Sequence, residues 1–282
     1  MKRIVVTGAK GGTGRSIVAV LRAAGYDVLG LDIQPVGHQD ADYAQHDLVD
    51  GDGLNDLFAG ADGVVHFGSV PTDVWSSRTA AFRNVMMGGY NVLQACANTG
   101  VQRLVYASSM EVYGDLAQQP HLPISEESPT APPGAYGSAK LALESVAADF
   151  SRWHGLPVAA LRLNRIVYEG SYPWRLQPHT QTDDSAAGVL WGYIDGRDVG
   201  TACQAWLEAD VEGFRAYNLA AFDVCVETPT RELLGQYYSH MGDVRCEFEA
   251  HQCLYDSSAI RGELGWREQY NWRAIRDEGE VE

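Results

Sequence analysis

Residues 8–14, Gly-Ala-Lys-Gly-Gly-Thr-Gly, directly follow an apolar run, Ile4-Val5-Val6, at the start of a 282-residue chain. β-Branched residues in a short run of this kind favour a buried strand. Helical periodicity then holds over about 13–24, and Asp32 closes the next apolar run, 28–31. A strand, a glycine-rich turn, a helix and an acidic strand end, in that order, constrain the chain to a βαβ unit that cradles a dinucleotide. Gly8 suits the tight turn off the strand. Gly11 lets the backbone approach a pyrophosphate, and Gly14 lets the helix pack close to the sheet. The helix aims its unpaired N–H groups and positive end at the phosphates. The spacing G-x-x-G-x-x-G is one residue looser than the G-x-G-x-x-G form. Gly8, Gly11, Gly12, Thr13 and Gly14 are therefore the candidate cofactor-binding loop. A carboxylate at Asp32 would accept a ribose hydroxyl and repel a 2′-phosphate, so NAD is expected over NADP.

Apolar runs at 28–31, 63–67, 103–107 and 158–163 read as strands, with helical segments near 53–59, 77–98 and 136–153 between them. This alternation implies an α/β fold, a doubly wound parallel sheet, with its ligand beyond the carboxyl ends of the strands. The prolines of 118–133 exclude helix or central strand there. After about 165 the alternation weakens. A substrate-side loop is expected at 169–188, helices at 195–207 and 228–238 (the latter with a Thr cap and Pro229 in its first turn), and a short strand at 217–219. The organisation expected is an NAD-binding Rossmann domain over 1–165 and a small C-terminal substrate-binding lobe over 166–282, interleaved with the Rossmann core.

A formal charge of −16, from 21 Lys+Arg against 37 Asp+Glu, argues against a nucleic-acid or anionic-membrane surface. Five scattered cysteines without a C-x-x-C read as reduced thiols, not a disulfide framework or a metal site. The N-terminus enters a strand at once and no stretch reaches membrane-spanning length, so a cytoplasmic location is expected.

Tyr136-Gly137-Ser138-Ala139-Lys140 places a phenol and an ammonium one turn apart on one helix face. A nearby ammonium favours the phenolate and lowers the phenol pKa, so the pair can take a proton from an alcohol. Ser108-Ser109, just past the strand at 103–107, offers a hydroxyl at the edge where such a sheet presents its ligand.

Together, T-G-x-x-G-x-x-G at 7–14, Ser-Ser-x-x-Val-Tyr-Gly at 108–114 and Y-x-x-x-K at 136–140 resemble the extended short-chain dehydrogenases, the NAD-dependent epimerase/dehydratase family, over essentially the whole chain. The resemblance implies Tyr136 as acid/base, Lys140 on the nicotinamide ribose and Ser109 on the reacting oxygen. It also implies Asp47-Leu48 beside adenine and Phe67-Gly68-Ser69 lining the cofactor. Its members commonly dimerise, so the helices at 77–98 and 136–153, with Val85, Met86, Val92, Leu93, Leu141, Leu143, Val146 and Phe150, are expected to form a homodimer interface.

The chain departs from the family at three places. Thr-Asp-Glu of the dehydratases reads Ser109-Met110-Glu111: the carboxylate that would remove an α-proton is present, but a thioether cannot protonate a leaving hydroxyl. The Asn of N-x-x-G-T, Asn84, lies one residue early, about 100° round the helix. L-R-x-x-N-V-Y-G-P reads 161–169 with Arg165 for the Asn and Tyr168-Glu169 for Gly-Pro. The expected activity is NAD-dependent oxidation or epimerisation at a secondary alcohol of a sugar, sugar acid or nucleotide-sugar. The short segment after Glu169 favours a compact carbohydrate. Glu111, Trp174, Arg175 and Arg197 are candidate substrate residues, with Trp191 as a further aromatic wall. Alternatives are a dehydratase or decarboxylase using Glu111, and a non-catalytic NAD-binding regulator.

Overall fold

The computed structural model describes residues 2–37, 41–69, 77–115, 119–168, 171–172, 176, 184–239 and 249–277. Seven parallel strands form one sheet: β1 (Arg3–Thr7), β2 (Asp27–Asp32), β3 (Tyr43–Gln45), β4 (Gly63–His66), β5 (Arg103–Ser109), β6 (Val158–Leu163) and, far along the chain, Phe214–Leu219. The order is β3-β2-β1-β4-β5-β6 with Phe214–Leu219 at the edge beside β6. Strand order reverses at β1, which pairs with β2 on one side and β4 on the other. The crevice at that reversal, beyond the carboxyl ends of the strands, is where such a sheet takes a ligand. Helices α1 (Gly12–Ala23), α2 (Leu54–Phe58), α3 (Arg78–Thr99) and α4 (Ala135–His154) connect these strands, as the alternation predicts.

The central strands β1, β4, β5 and β6 are buried almost without interruption because both faces are covered, while the edge strands are half-exposed in part. One face packs α1 and α5 (Gly196–Glu208) over Ile4, Val6, Val105 and Leu161. The other packs α3 and α4 over Val5, Val64, Leu104 and Val158. Gly89 of α3 is where the two helices meet: a Cβ there would lie 2.4 Å from Leu143 Cδ2 of α4.

The C-terminal half belongs to both parts of the molecule. It supplies the edge strand, three residues longer than expected at its start, and α5, which packs on α1. A small two-stranded sheet of Arg165–Val167 and Tyr193–Asp195 carries a second core around Trp191, Tyr193 and Leu254. Those short strands and β3 carry too few residues to show an alternating pattern in sequence. The helix expected at 228–238 runs over Thr230–Tyr237, and Pro229 stands at its N-cap with extended backbone, not in its first turn. No helix among the described residues is long and apolar enough to cross a membrane.

Of the dimer residues expected on α3 and α4, Met86, Leu141 and Val146 are half-buried against the chain's own cores. Val85, Val92, Leu93, Leu143 and Phe150 are buried inside the chain, because each helix covers the sheet and its neighbour. Phe82, Met87, Tyr90 and Trp153 are the large apolar side chains these two helices leave exposed.

Candidate active site

The glycine loop has the form its residues require. Gly8 leaves β1 at φ +70°, and a Cβ there would fall 2.6 Å from the carbonyl carbon of Phe67. A Cβ on Gly14 would sit 2.0 Å from Gly8 O, so α1 can approach the loop only without one. Gly11 caps α1 with no side-chain hydrogen bond, which leaves the first amides of the helix to an external acceptor. Asp32 lies alongside, 9% exposed: its Oδ2 accepts from Lys10 N at 2.9 Å and its Oδ1 from Gln34 N at 3.1 Å. One carboxylate thus ties the loop to β2 and keeps lone pairs for a ribose.

Directly beside the loop, Gly68 approaches Leu48 so closely that a Cβ would lie 2.6 Å from Leu48 Cδ1. Leu48 is buried, whereas Asp47 is exposed and spends one oxygen on Val49 N at 3.0 Å. Thr7 fixes the Phe67-Gly68-Ser69 segment: its Oγ1 accepts from Gly68 N at 3.1 Å and lies 2.8 Å from His66 Nδ1. Burial, helped by the charge of Lys140, pulls His66 down to about 3, so its ring is neutral at working pH.

Strand pleating separates the two serines. Ser108 Oγ donates to Glu144 Oε1 at 2.5 Å on one face of β5. Ser109, on the other, accepts from Glu111 N at 3.1 Å as the cap of the short 3₁₀ turn Met110–Tyr113. Tyr136 and Lys140 share the buried face of α4. Lys140 Nζ donates to Ala107 O at 2.6 Å and to Ser69 Oγ at 3.2 Å, and it lies 5.4 Å from the Tyr136 ring centroid. This one ammonium joins β5, the segment after β4 and α4.

The electrostatics differ from the expected ones in one respect. Burial, then the charge of Glu111, holds the Tyr136 phenol above its ordinary value. Lys140 by itself does not bring the phenolate within reach, because desolvation of a buried anion outweighs a neighbouring cation that is itself weakened. Burial pulls Lys140 down to about 8, against the opposing carboxylates of Glu144 and Glu111. Glu111 itself is exposed, with its charge near both groups.

Glu144, one turn beyond Lys140, escaped the reading of motifs. Its carboxylate takes Arg162 Nη2 at 2.7 Å and Nε at 3.1 Å, and Arg162 Nη1 donates to Tyr113 OH at 2.8 Å. Tyr113 OH donates in turn to Asn218 Oδ1 at 2.6 Å. This buried network takes in Ser108 through Glu144, whose charge also acts on Lys140. The i, i+4 spacing of Lys140 and Glu144 was the available signal.

Of the substrate candidates, Trp174 and Arg175 lie outside the described residues. Arg197 pairs with buried Asp195, 3.0 Å away, and stacks on Tyr270 with its Cζ 3.6 Å from the ring centroid. It is bound into the α1–α5 side of the molecule. Trp191 is fully buried between Tyr237 and Tyr238, so it packs the C-terminal core and walls no open site.

The sequence model of the NAD dependent epimerase/dehydratase family matches residues 4–220. A UDP-glucose 4-epimerase of Corynebacterium glutamicum is 30% identical over 185 residues, 60% of this chain and 52% of that protein. A uronate dehydrogenase of Pseudomonas putida is 31% identical over 170 residues, 57% of this chain and 60% of that protein. The chain thus spans about half the length of the epimerase relative, and somewhat more of the dehydrogenase. The crystal structure of UDP-glucose 4-epimerase from Brucella ovis in complex with NAD superposes with a TM-score of 0.73 at 23% identity, covering 98% of this chain and 96% of that one.

Proposed function

Because the chain belongs to the NAD dependent epimerase/dehydratase family, we propose that it oxidises a secondary alcohol of a compact sugar or sugar acid. The observation that carries this reading is the Lys140 ammonium, 5.4 Å from the Tyr136 ring centroid, donating to Ala107 O of β5 at 2.6 Å and to Ser69 Oγ at 3.2 Å, with Ser109 two residues further along that strand. The donor set fits NAD: amides at the start of α1 with no side-chain cap, a tight turn that Gly8 and Gly14 close because a Cβ on either would strike neighbouring backbone, and a carboxylate beside it at Asp32. Gly8 to Gly14 would hold the pyrophosphate, Asp32 a ribose and Asp47 and Leu48 the adenine, and Phe67 to Ser69 would line the cofactor. Lys140 would reach the nicotinamide ribose. When bound, NAD supplies a hydride acceptor and a positive charge beside the phenol.

Ser109 orients the substrate oxygen through its hydroxyl. Tyr136, as the phenolate formed when its own proton is lost to solvent, takes the proton of the alcohol, and Lys140, two of whose donors hold Ser69 and Ala107, has a third donor to offer the ribose. A lysine near 8 retains much of its charge at neutral pH and so supports the transient phenolate. Dehydration lacks its acid: Met110, buried at 7% exposure, occupies that position with a thioether. A compact substrate is supported by the resemblance to a uronate dehydrogenase and by the replacement of Gly-Pro by Tyr168-Glu169. The exposed face of α3 and α4, with Tyr90 edge-on to Phe150 at 5.5 Å and Trp153 beside it, supports a homodimer.

The test is a panel of free hexoses, free hexuronates and UDP- and dTDP-sugars incubated with protein and NAD, read by NADH absorbance and sugar chromatography. NADH from free sugars or uronates, absent with Tyr136→Phe, is the expected result. Changed stereochemistry of a nucleotide-sugar without net NADH would replace this reading with an epimerase. Equal activity in Tyr136→Phe would remove the proposed acid/base.

A further inference from the structure

Tyr168 follows the strand Arg165–Val167, far from the glycine loop in sequence, yet its ring lies on that loop. The ring fills a slot between the first residues of two helices, Gly12 of α1 and Gly196 of α5. A Cβ on Gly12 would fall 2.6 Å from Tyr168 Cζ and 2.7 Å from Cε2, and a Cβ on Gly196 would fall 3.1 Å from Tyr168 Cδ1. The Tyr168 hydroxyl lies 3.2 Å from Thr13 Oγ1. Its backbone is held as well: Tyr168 N donates to Ser171 Oγ at 2.7 Å, and Ser171 N and Oγ donate to Tyr168 O at 2.8 and 2.6 Å. Beside the slot runs an open groove of about 660 Å³, lined by Gly12, Ser16, Tyr168, Arg197, Thr201 and Tyr270.

We propose that Tyr168 is a positioning residue for NAD: seated on Gly12 and beside Thr13, its ring fixes the turn whose amides meet the pyrophosphate. This rests on the reading that residues 8–14 hold the cofactor. Gly12 is helical and not at positive φ, so its lack of a side chain answers to the ring above it and not to its own backbone. The atoms that a Cβ would strike are the far end of the tyrosine, and the groove gives that end somewhere to go. Gly12→Ala should therefore displace the ring without breaking the helix, and should have its effect only while the ring is there.

Calorimetric titration of NAD into the full-length protein tests this with Gly12→Ala, Tyr168→Gly, the pair, Tyr168→Phe and Asp32→Ala. Gly12→Ala and Tyr168→Gly should each weaken NAD on the order of tenfold, a coupling that residues in contact commonly show. The pair should be no weaker than Tyr168→Gly alone, since Ala is tolerated in a helix once nothing lies over it. Tyr168→Phe should stay closer to the parent, and Gly12→Ala should still cost affinity in that background. General loss of stability would not give this rescue, because two such losses add. A pair whose affinity falls by the product of the two single losses overturns the proposal, as does parental affinity in Tyr168→Gly. Asp32→Ala separates the two readings. If it weakens NAD while the pair is additive, only the role of Tyr168 falls. If it leaves NAD untouched, the loop is not the cofactor site and both fall.

Discussion

Replacing Lys140 by Met should change how stability depends on pH, in a direction set by the site. Lys140 is 2% exposed, and burial holds its ammonium near 8, against 10.5 in an open chain. Glu144, Glu111, His66 and Tyr136 are the titratable groups acting on it or lying beside it. Below pH 8 the group is charged in both folded and unfolded chains, and its desolvation subtracts from stability. Between 8 and 10.5 the folded protein has released the proton while the unfolded chain keeps it, so the unfolded state binds more protons and stability rises with pH. At about 1.4 kcal/mol per pH unit the gain across that window is about 3 kcal/mol. Urea unfolding of cofactor-free parent and Lys140→Met, followed by tryptophan fluorescence at several pH values from 7.5 upward, isolates this gain as parent minus variant. Groups common to both proteins largely cancel in the difference. The parent should gain on the variant by about 2–3 kcal/mol as pH rises through the window. A flat difference, or one that falls with pH, would show that Lys140 is not held low by burial.

Three further outcomes follow from the same geometry. Glu144→Ala should cost about 3–5 kcal/mol in urea unfolding, because it strands the buried Arg162 guanidinium; Glu144→Leu with Arg162→Met should recover most of it, and no recovery would mean the pair is not the source. Asp32→Ala should weaken NAD by about 1.5–3 kcal/mol, roughly ten- to a hundredfold, and narrow its advantage over NADP in equilibrium binding; a parent protein that prefers NADP would contradict the assignment. Trp153→Glu, at a side chain 60% exposed, should shift light-scattering mass from dimer to monomer without loss of the fold by circular dichroism, and a parent that is already monomeric would remove the α3–α4 interface.

The sequence by itself determined whatever depends on neighbours along the chain. The glycine loop, Asp32 at the end of β2 and the Tyr136–Lys140 pair are local: a turn, a strand end and one helical repeat each place their residues without knowledge of the rest. The alternation of apolar runs and helical segments was likewise enough for a doubly wound sheet. Contacts between distant segments were decided only in the folded chain. That Ser108 binds Glu144 while Ser109 caps the next turn depends on the pleat of β5 and on a helix far along the chain. Phe214–Leu219 joined the main sheet because β6 offered it an edge, which no local period records. Arg197 turned to Asp195 and Tyr270, and Trp191 went into a core, because burial rewards partners that only packing supplies. Even the proton affinity of Tyr136 followed this division. Its spacing to Lys140 is written in the helix, but the desolvation that raises it is a property of the walls that close around the ring.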